Sequence, residues 1–140
     1  MAERTFQFEI LTLPRMFLQQ EARFVIAPGQ AGVFEILPGH APFVFALKPG
    51  PLRIRLPGGQ DRHLAVGTGF LVVQPDRTTV LTRSAERPED VDVERARRAK
   101  ARAEERLAMR TPGIDVARAQ AALQRALARL KIAEYRTSDR

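Results

Sequence analysis

A chain of 140 residues with no cysteine and a formal net charge of +7 is one ordinary domain or two small ones, with room for one respectable core and not for two large ones. The missing cysteines exclude disulfides, a thiolate nucleophile and any Cys-based metal site. The positive excess is spread, with ten Lys or Arg against seven Asp or Glu over residues 1–87 and thirteen against nine over residues 88–140. It reads first as a solvated surface and second as the footprint of an acidic partner, whether protein, nucleotide or polynucleotide.

The first residues lead straight into an alternating strand pattern without an apolar signal core, and no apolar run approaches the roughly 20 residues of a membrane helix. The expectation is a soluble protein of the cytoplasmic side. Phe6, Phe8 and Ile10 alternate with polar neighbours from Thr5 to Thr12, and Phe17 to Ile26 repeats the style as one further strand, with Pro14 and Pro28 closing the two. Pro28 to Pro42 then reads as a turn, a short strand and a rigid turn, since three prolines and three glycines surround one apolar run. Further strands are expected at Phe43–Leu47, Leu52–Leu56, His63–Ala65, Gly69–Val73 and Thr78–Thr82, separated by Pro- and Gly-bearing turns. Short strands at intervals of roughly 8 to 12 residues indicate an antiparallel β-sandwich or barrel.

The composition changes between Ala85 and Ala96. Pro88 disfavours helix in the residue before it, and Glu89, Asp90 and Asp92 set negative charge at the positive end of the helix that follows. The boundary is placed so that residues 1–87 form the β-sandwich and residues 88–140 a helical hairpin. From Glu89 to about Arg110, Val93, Ala96, Ala99 or Lys100, Ala103 and Leu107 recur at steps of three and four. After Thr111-Pro112-Gly113, Asp115 is positioned to cap a second helix on which Val116, Ala119, Leu123, Leu127 (or Ala126) and Leu130 repeat the seam. Such an Ala-rich antiparallel hairpin buries modest apolar area per turn, so it is expected to be weakly held and able to move.

Four ordered motifs now stand together: Leu37-Pro38-Gly39-His40-Ala41-Pro42, Lys48-Pro49-Gly50-Pro51-Leu52-Arg53-Ile54, Gly67-Thr68-Gly69-Phe70-Leu71-Val72-Val73, and Val91-Asp92-Val93-Glu94-Arg95-Ala96. In order, spacing and length the chain resembles the epsilon subunit of the F-type ATP synthase over essentially its whole extent. The resemblance implies a ten-stranded β-sandwich followed by two helices, in a non-catalytic rotor subunit of the central stalk. It implies binding to the gamma subunit and the c-subunit ring, and a place on the cytoplasmic face of the bacterial inner membrane, reached only through the complex. The loop that matches Ala31 to His40 would face the ring, with Val33, Phe34, Pro38, Gly39 and His40 as contact residues. The hairpin would lie folded against the sandwich or extend along gamma, where its basic residues meet the alpha and beta subunits of the catalytic head and inhibit ATP hydrolysis. Glu35, where the family usually has Gly, and Thr68, which interrupts a usual Gly-Gly pair, depart from the pattern. Within the turn, His40 has two readings, as a local hydrogen-bonding residue or as a partner contact.

Members of the family that bind ATP carry Ile or Leu, Asp, two free positions, Arg and Ala at the start of the first helix. The matching residues here are Val91, Asp92, Arg95 and Ala96, with Glu86 before them and Arg125 and Arg129 on the second helix. Asp92 and Arg95 at i and i+3, and Arg125 and Arg129 at i and i+4, place each pair on one helix face, and an antiparallel hairpin brings the start of one helix near the end of the other. Hydrogen bonds from Arg to phosphate contribute about 1.5 to 3 kcal/mol each, and Glu86 or Asp92 could accept from adenine or ribose. ATP is thus the expected regulatory ligand, and no cofactor is required. The plainer alternative assigns Asp92 to the helix start, pairs Arg95 locally with Glu94 or Asp92, and leaves Arg125 and Arg129 as solvated surface or contacts to beta.

Two readings come from other classes. A basic β domain that binds nucleic acid needs aromatic platforms among its basic strands, whereas this chain has no Trp, one Tyr and eight Phe that mostly occupy strand-core positions. No nucleic-acid partner is expected. A free-standing enzyme lacks a convergent polar site: Ser84 and Ser138 are the serines, His40 and His63 the histidines, and neither a triad nor metal-ligand spacing can be assembled from them.

Overall fold

The computed structural model describes residues 3–13, 15–109, 113 and 115–136; Pro14 and the Thr111-Pro112 pair lie outside them. Ten strands precede two helices among these residues: β1 (Phe6–Thr12), β2 (Arg15–Ala22), β3 (Phe24–Gly29), β4 (Gly32–Ile36), β5 (Phe43–Leu47), β6 (Gly50–Arg55), β7 (Asp61–Val66), β8 (Gly69–Val73), β9 (Arg77–Thr82), β10 (Ala85–Glu86), α1 (Val93–Met109) and α2 (Val116–Ala133). The hydrogen-bonded order is β10-β7-β6-β3-β5-β8-β9-β1-β2, with β4 on the other edge of β3. Phe24 to Ile26 of β3 pair with β6, whereas Gly29 alone pairs with Leu47 of β5. The path therefore turns over at β3 and makes two five-stranded layers, β4-β3-β6-β7-β10 and β5-β8-β9-β1-β2.

The alternation read from the sequence is what fills the space between them. Phe8 and Ile10 of β1, Leu71 of β8 and Val80 of β9 meet Val25, Leu52 and Ile54 of the facing layer, all completely buried. The fold is the sandwich followed by a helical hairpin that the strand spacing and period change indicated. Every strand pair is antiparallel except β1 with β9, which run parallel from Gln7–Arg77 to Thr12–Thr82.

Three local expectations are corrected. Phe17 to Ile26 is not one strand: it breaks at Arg23, because β2 stays with β1 while β3 crosses to the other layer, and the Arg23 N–H turns to the Arg55 carbonyl (2.7 Å). Pro28 lies within β3 and does not close it; Pro28 faces Val33 of β4, and its carbonyl accepts from Lys48 N (3.0 Å). The first helix does not start at Glu89. Pro88–Asp90 forms a 3-10 turn, and α1 begins at Val93 after Asp92, whose side chain accepts from Arg95 N (3.0 Å).

The β6–β7 hairpin is closed by Arg55 and Asp61, paired in register and joined by two hydrogen bonds, Nε to Oδ1 and Nη2 to Oδ2. The Arg55 hydrogen bond holds the Asp61 carboxyl below its ordinary pKa, against a smaller opposing effect of burial. Because the folded pKa is depressed, the stability Asp61 contributes is fully present above the unfolded value of about 3.9 and is lost as pH falls through the folded one. Asp61→Asn should therefore lower the urea midpoint at pH 7, and the gap between variant and wild type should close in acid. An equal gap at pH 7 and pH 3 would show that the charge is not the cause.

The helices form the expected antiparallel pair. Asp115 caps α2 by accepting from Arg118 N (3.1 Å). Ala96 and Ala103 on α1 and Ala119 and Ala126 on α2, each pair seven residues apart, are buried, so small side chains let the helices approach closely. Of the two alternatives at the fourth seam position, Ala126 is the buried one, and Leu127 is exposed. Helix α2 lies on β6 and β7. There Ala128 and Ile132 pack with Ala65 of β7 and with Val91 of the linker.

Candidate functional site

The chain that leaves β10 sets the residues of interest in a short space. Glu86 ends β10 beside Ala65 of β7, and Pro88–Asp90 then turns the backbone toward α1. From the opposite side, α2 lays Arg125, Ala128 and Arg129 over this edge. Glu86, Arg125 and Arg129 thus line one small cleft with Ala65, Val66 and Ser84. Arg129 Nε donates to Glu86 Oε1 at 2.5 Å, with the two side chains 33% and 27% exposed. Among the described residues Arg125 makes no ion pair. The cleft holds about 10 Å³, so in this arrangement Glu86 already occupies the cation that an entering anion would seek.

The remaining residues are placed differently. Val91 is buried against Ala128 and Ile132 and serves packing. Asp92 caps α1 through its side chain, while its carbonyl accepts from Ala96 N (3.0 Å). Ala96 is buried. Arg95 is exposed in the first turn of α1 and, among the described residues, forms no ion pair. The structure therefore brings Glu86, Arg125 and Arg129 together, gives Asp92, Val91 and Ala96 structural work, and leaves Arg95 facing solvent. Ser84, which lines the same cleft, had no signal in the sequence beyond its place just before β10. No group of His, Asp and Glu with metal-holding geometry occurs among the described residues.

At the far tip of the sandwich, β4, β5 and the turn between them carry the other candidate residues. Pro38 and Gly39 form a turn in which Gly39 takes φ of 81° and His40 N closes onto the Leu37 carbonyl (3.2 Å). His40 Nδ1 lies 2.6 Å from the Ala41 carbonyl, so the imidazole does make the local hydrogen bond, and its ring meets Phe45 edge-on. Phe34 stacks on Phe45 (4.0 Å between centroids), and Phe43 leans on the same ring. Stiffened from within in this way, the tip presents Val33 at 73% exposure and Leu37 at 52%. A second apolar strip crosses the outer face of the layer that α2 does not cover. Phe70, Leu81, Leu11 and Met16 stand in one cross-strand row, with Phe70 53% exposed. Exposed apolar groups gathered like this mark contact surfaces.

Comparison with known proteins covers nearly the whole chain. Residues 5–88 match the family model of the ATP synthase delta/epsilon chain β-sandwich domain, and residues 89–134 match that of the delta/epsilon chain long α-helix domain. The ATP synthase epsilon chain of Desulforapulum autotrophicum is 47% identical over 97% of this chain and 100% of its own length. That of Moorella thermoacetica is 49% identical over 89% and 93%. In fold, the chain is similar to one in the Euglena gracilis mitochondrial ATP synthase structure of OSCP/F1/c-ring in rotational state 1, with a TM-score of 0.81 and 20% identity over 96% of this chain and 84% of that one.

Proposed function

Because the chain belongs to the delta/epsilon family of ATP synthase subunits, as an epsilon chain, we propose that it is a non-catalytic rotor subunit of the central stalk, coupling ion flow to ATP synthesis. In this reading it sits on the cytoplasmic face of a bacterial inner membrane, held there by the complex; no helix among the described residues is long and apolar enough to cross a membrane. The apolar tip with Val33, Leu37 and Phe43 meets the c-subunit ring, whose upper surface must be gripped by a part that does not yield. The row of Phe70, Leu81, Leu11 and Met16 meets gamma, since it lies on the layer opposite the hairpin and stays available whether or not the hairpin is docked.

The hairpin is the regulatory part. Docked on β6 and β7, it is held by few large side chains, Ile132 foremost, so its release costs far less than unfolding the sandwich. Released, it presents arginines to acidic surfaces of the alpha and beta subunits and restrains hydrolysis. ATP favours the docked form by binding at the hairpin–sandwich edge, as linkage requires of a ligand that prefers one state. The observation that carries this is the convergence of Glu86, Arg125 and Arg129 in one cleft between β10, β7 and α2. Since Glu86 holds Arg129 there, an incoming phosphate must displace that carboxylate or engage Arg125, with Arg95 brought to it only by a movement of the first turn of α1. Calorimetric titration of the purified chain with ATP, with and without Mg²⁺ and with ADP as comparison, tests it: saturable ATP binding is expected. Heat of dilution alone at several millimolar would leave a hairpin governed by its protein partners only.

A further inference from the structure

Past the last turn of α2 the chain does not simply leave the surface. The Glu134–Arg136 turn folds back on the sandwich and on the linker together. Tyr135 lies flat on His63 of β7, with ring centroids 3.5 Å apart and planes 6° from parallel. Arg136 reaches across to the linker between β10 and α1, where its Nε donates to the Pro88 carbonyl (3.2 Å) and its Nη2 to the Val91 carbonyl.

The two carbonyls differ in what they lose without Arg136. That of Pro88 also accepts from Val91 N (3.3 Å) and keeps a partner. That of Val91 precedes the helix, whose first backbone bond runs from Ala96 N to the Asp92 carbonyl, so α1 supplies it nothing. Val91 is buried, and a buried carbonyl without a donor is costly. The forked guanidinium is suited to reaching two acceptors at once, which an ammonium does not match in geometry.

We propose that the Tyr135–Arg136 turn is a clasp that fastens the docked hairpin at its C-terminal end, with Arg136 locking the linker and Tyr135 the sheet. The clasp governs how often α2 lifts from β6 and β7. It joins α2, which rests on β6 and β7, to the segment about which the hairpin must swing, so lifting α2 breaks both attachments together. This deepens the reading of a mobile hairpin given above and rests on it for its purpose, but the contact itself is a property of the isolated chain.

Native-state hydrogen exchange on the full chain tests it without ATP or any partner subunit. Arg136→Met keeps the apolar stem and removes the donors; Tyr135→Ala removes the stack; Arg136→Lys keeps charge without the fork. Exchange of α2 amides around Ala126 to Ile132 should quicken roughly five- to thirty-fold in the first two, and nearly as much in the third, while amides of β1, β8 and β9 keep their protection. Unchanged α2 exchange in both Arg136→Met and Tyr135→Ala would overturn the clasp. Equal acceleration throughout the sandwich would also overturn it, by making the turn a general support and not a fastening. A chain that shows the clasp but no ATP binding would sink the nucleotide reading and leave this one standing.

Discussion

Gly69→Ala is expected to be the most damaging single methyl group that can be added to this chain. Gly69 opens β8 opposite Thr82 of β9, and a Cβ built on it would fall inside the contact distance of the Leu81 carbonyl oxygen and crowd the Thr82 backbone. These are backbone atoms of the adjoining strand, so no side-chain rotamer can relieve the clash; β8 must move away from β9, or their pairing must break. The cost lies at the upper end of the roughly 1–3 kcal/mol that overpacking usually carries, or beyond it, a fall of roughly 10 °C or more in Tm. Thr68→Ala next door is the control: Thr68 is exposed, and its carbonyl, which accepts from Thr82 Oγ1 (3.1 Å), survives the change. It should stay within about 0.5 kcal/mol of wild type. Comparable melting of the two variants would show that β8 and β9 have slack the structure does not display.

Arg125→Ala should reduce ATP affinity by roughly ten-fold to over a hundred-fold, the loss of one charge-assisted contact of about 1.5 to 3 kcal/mol. Arg125 is the cleaner probe of the cleft because it forms no ion pair among the described residues, whereas Arg129→Ala also strips Glu86 of its partner and mixes ligand loss with loosened docking. Arg95→Ala should weaken binding in the same titration if the exposed first turn of α1 closes over the phosphates. Neither substitution touches the sandwich core, so its thermal transition should not move. Unaltered affinity in both variants would assign these arginines to contacts with the catalytic head instead.

Much of this was legible in the sequence because it depends on local chemistry. Alternation gave Phe8 and Ile10 to the core, Asp115 announced the start of α2, and the Pro38-Gly39 pair announced a turn. What was hidden depends on long-range pairing. Nothing near Arg23 signals that β2 and β3 belong to different layers, and the parallel pairing of β1 with β9 joins segments some 70 residues apart. Helical spacing gave Leu127 and Ala126 equal claims, and only the closeness of α1 selects the smaller. At the candidate site the spacing reads Asp92 and Arg95 as one helix face, whereas Asp92 lies just before α1 and caps it. Spacing could not show that the Asp92 carboxylate is engaged by the Arg95 N–H, or that Glu86 already neutralises Arg129. Arg136 was invisible for the same reason: an arginine after a helix reads as solvated surface until its acceptors, 45 and 48 residues earlier, are seen.

The most direct measurement compares ATP hydrolysis by the parent organism's synthase reconstituted without this subunit, with the full chain, and with a chain ending at Arg87. The full chain should lower hydrolysis, most strongly when ATP is scarce, whereas the shortened chain should restore coupling to the ion gradient without lowering it. If both chains act alike on hydrolysis at every ATP concentration, the hairpin is not the regulatory part of this subunit.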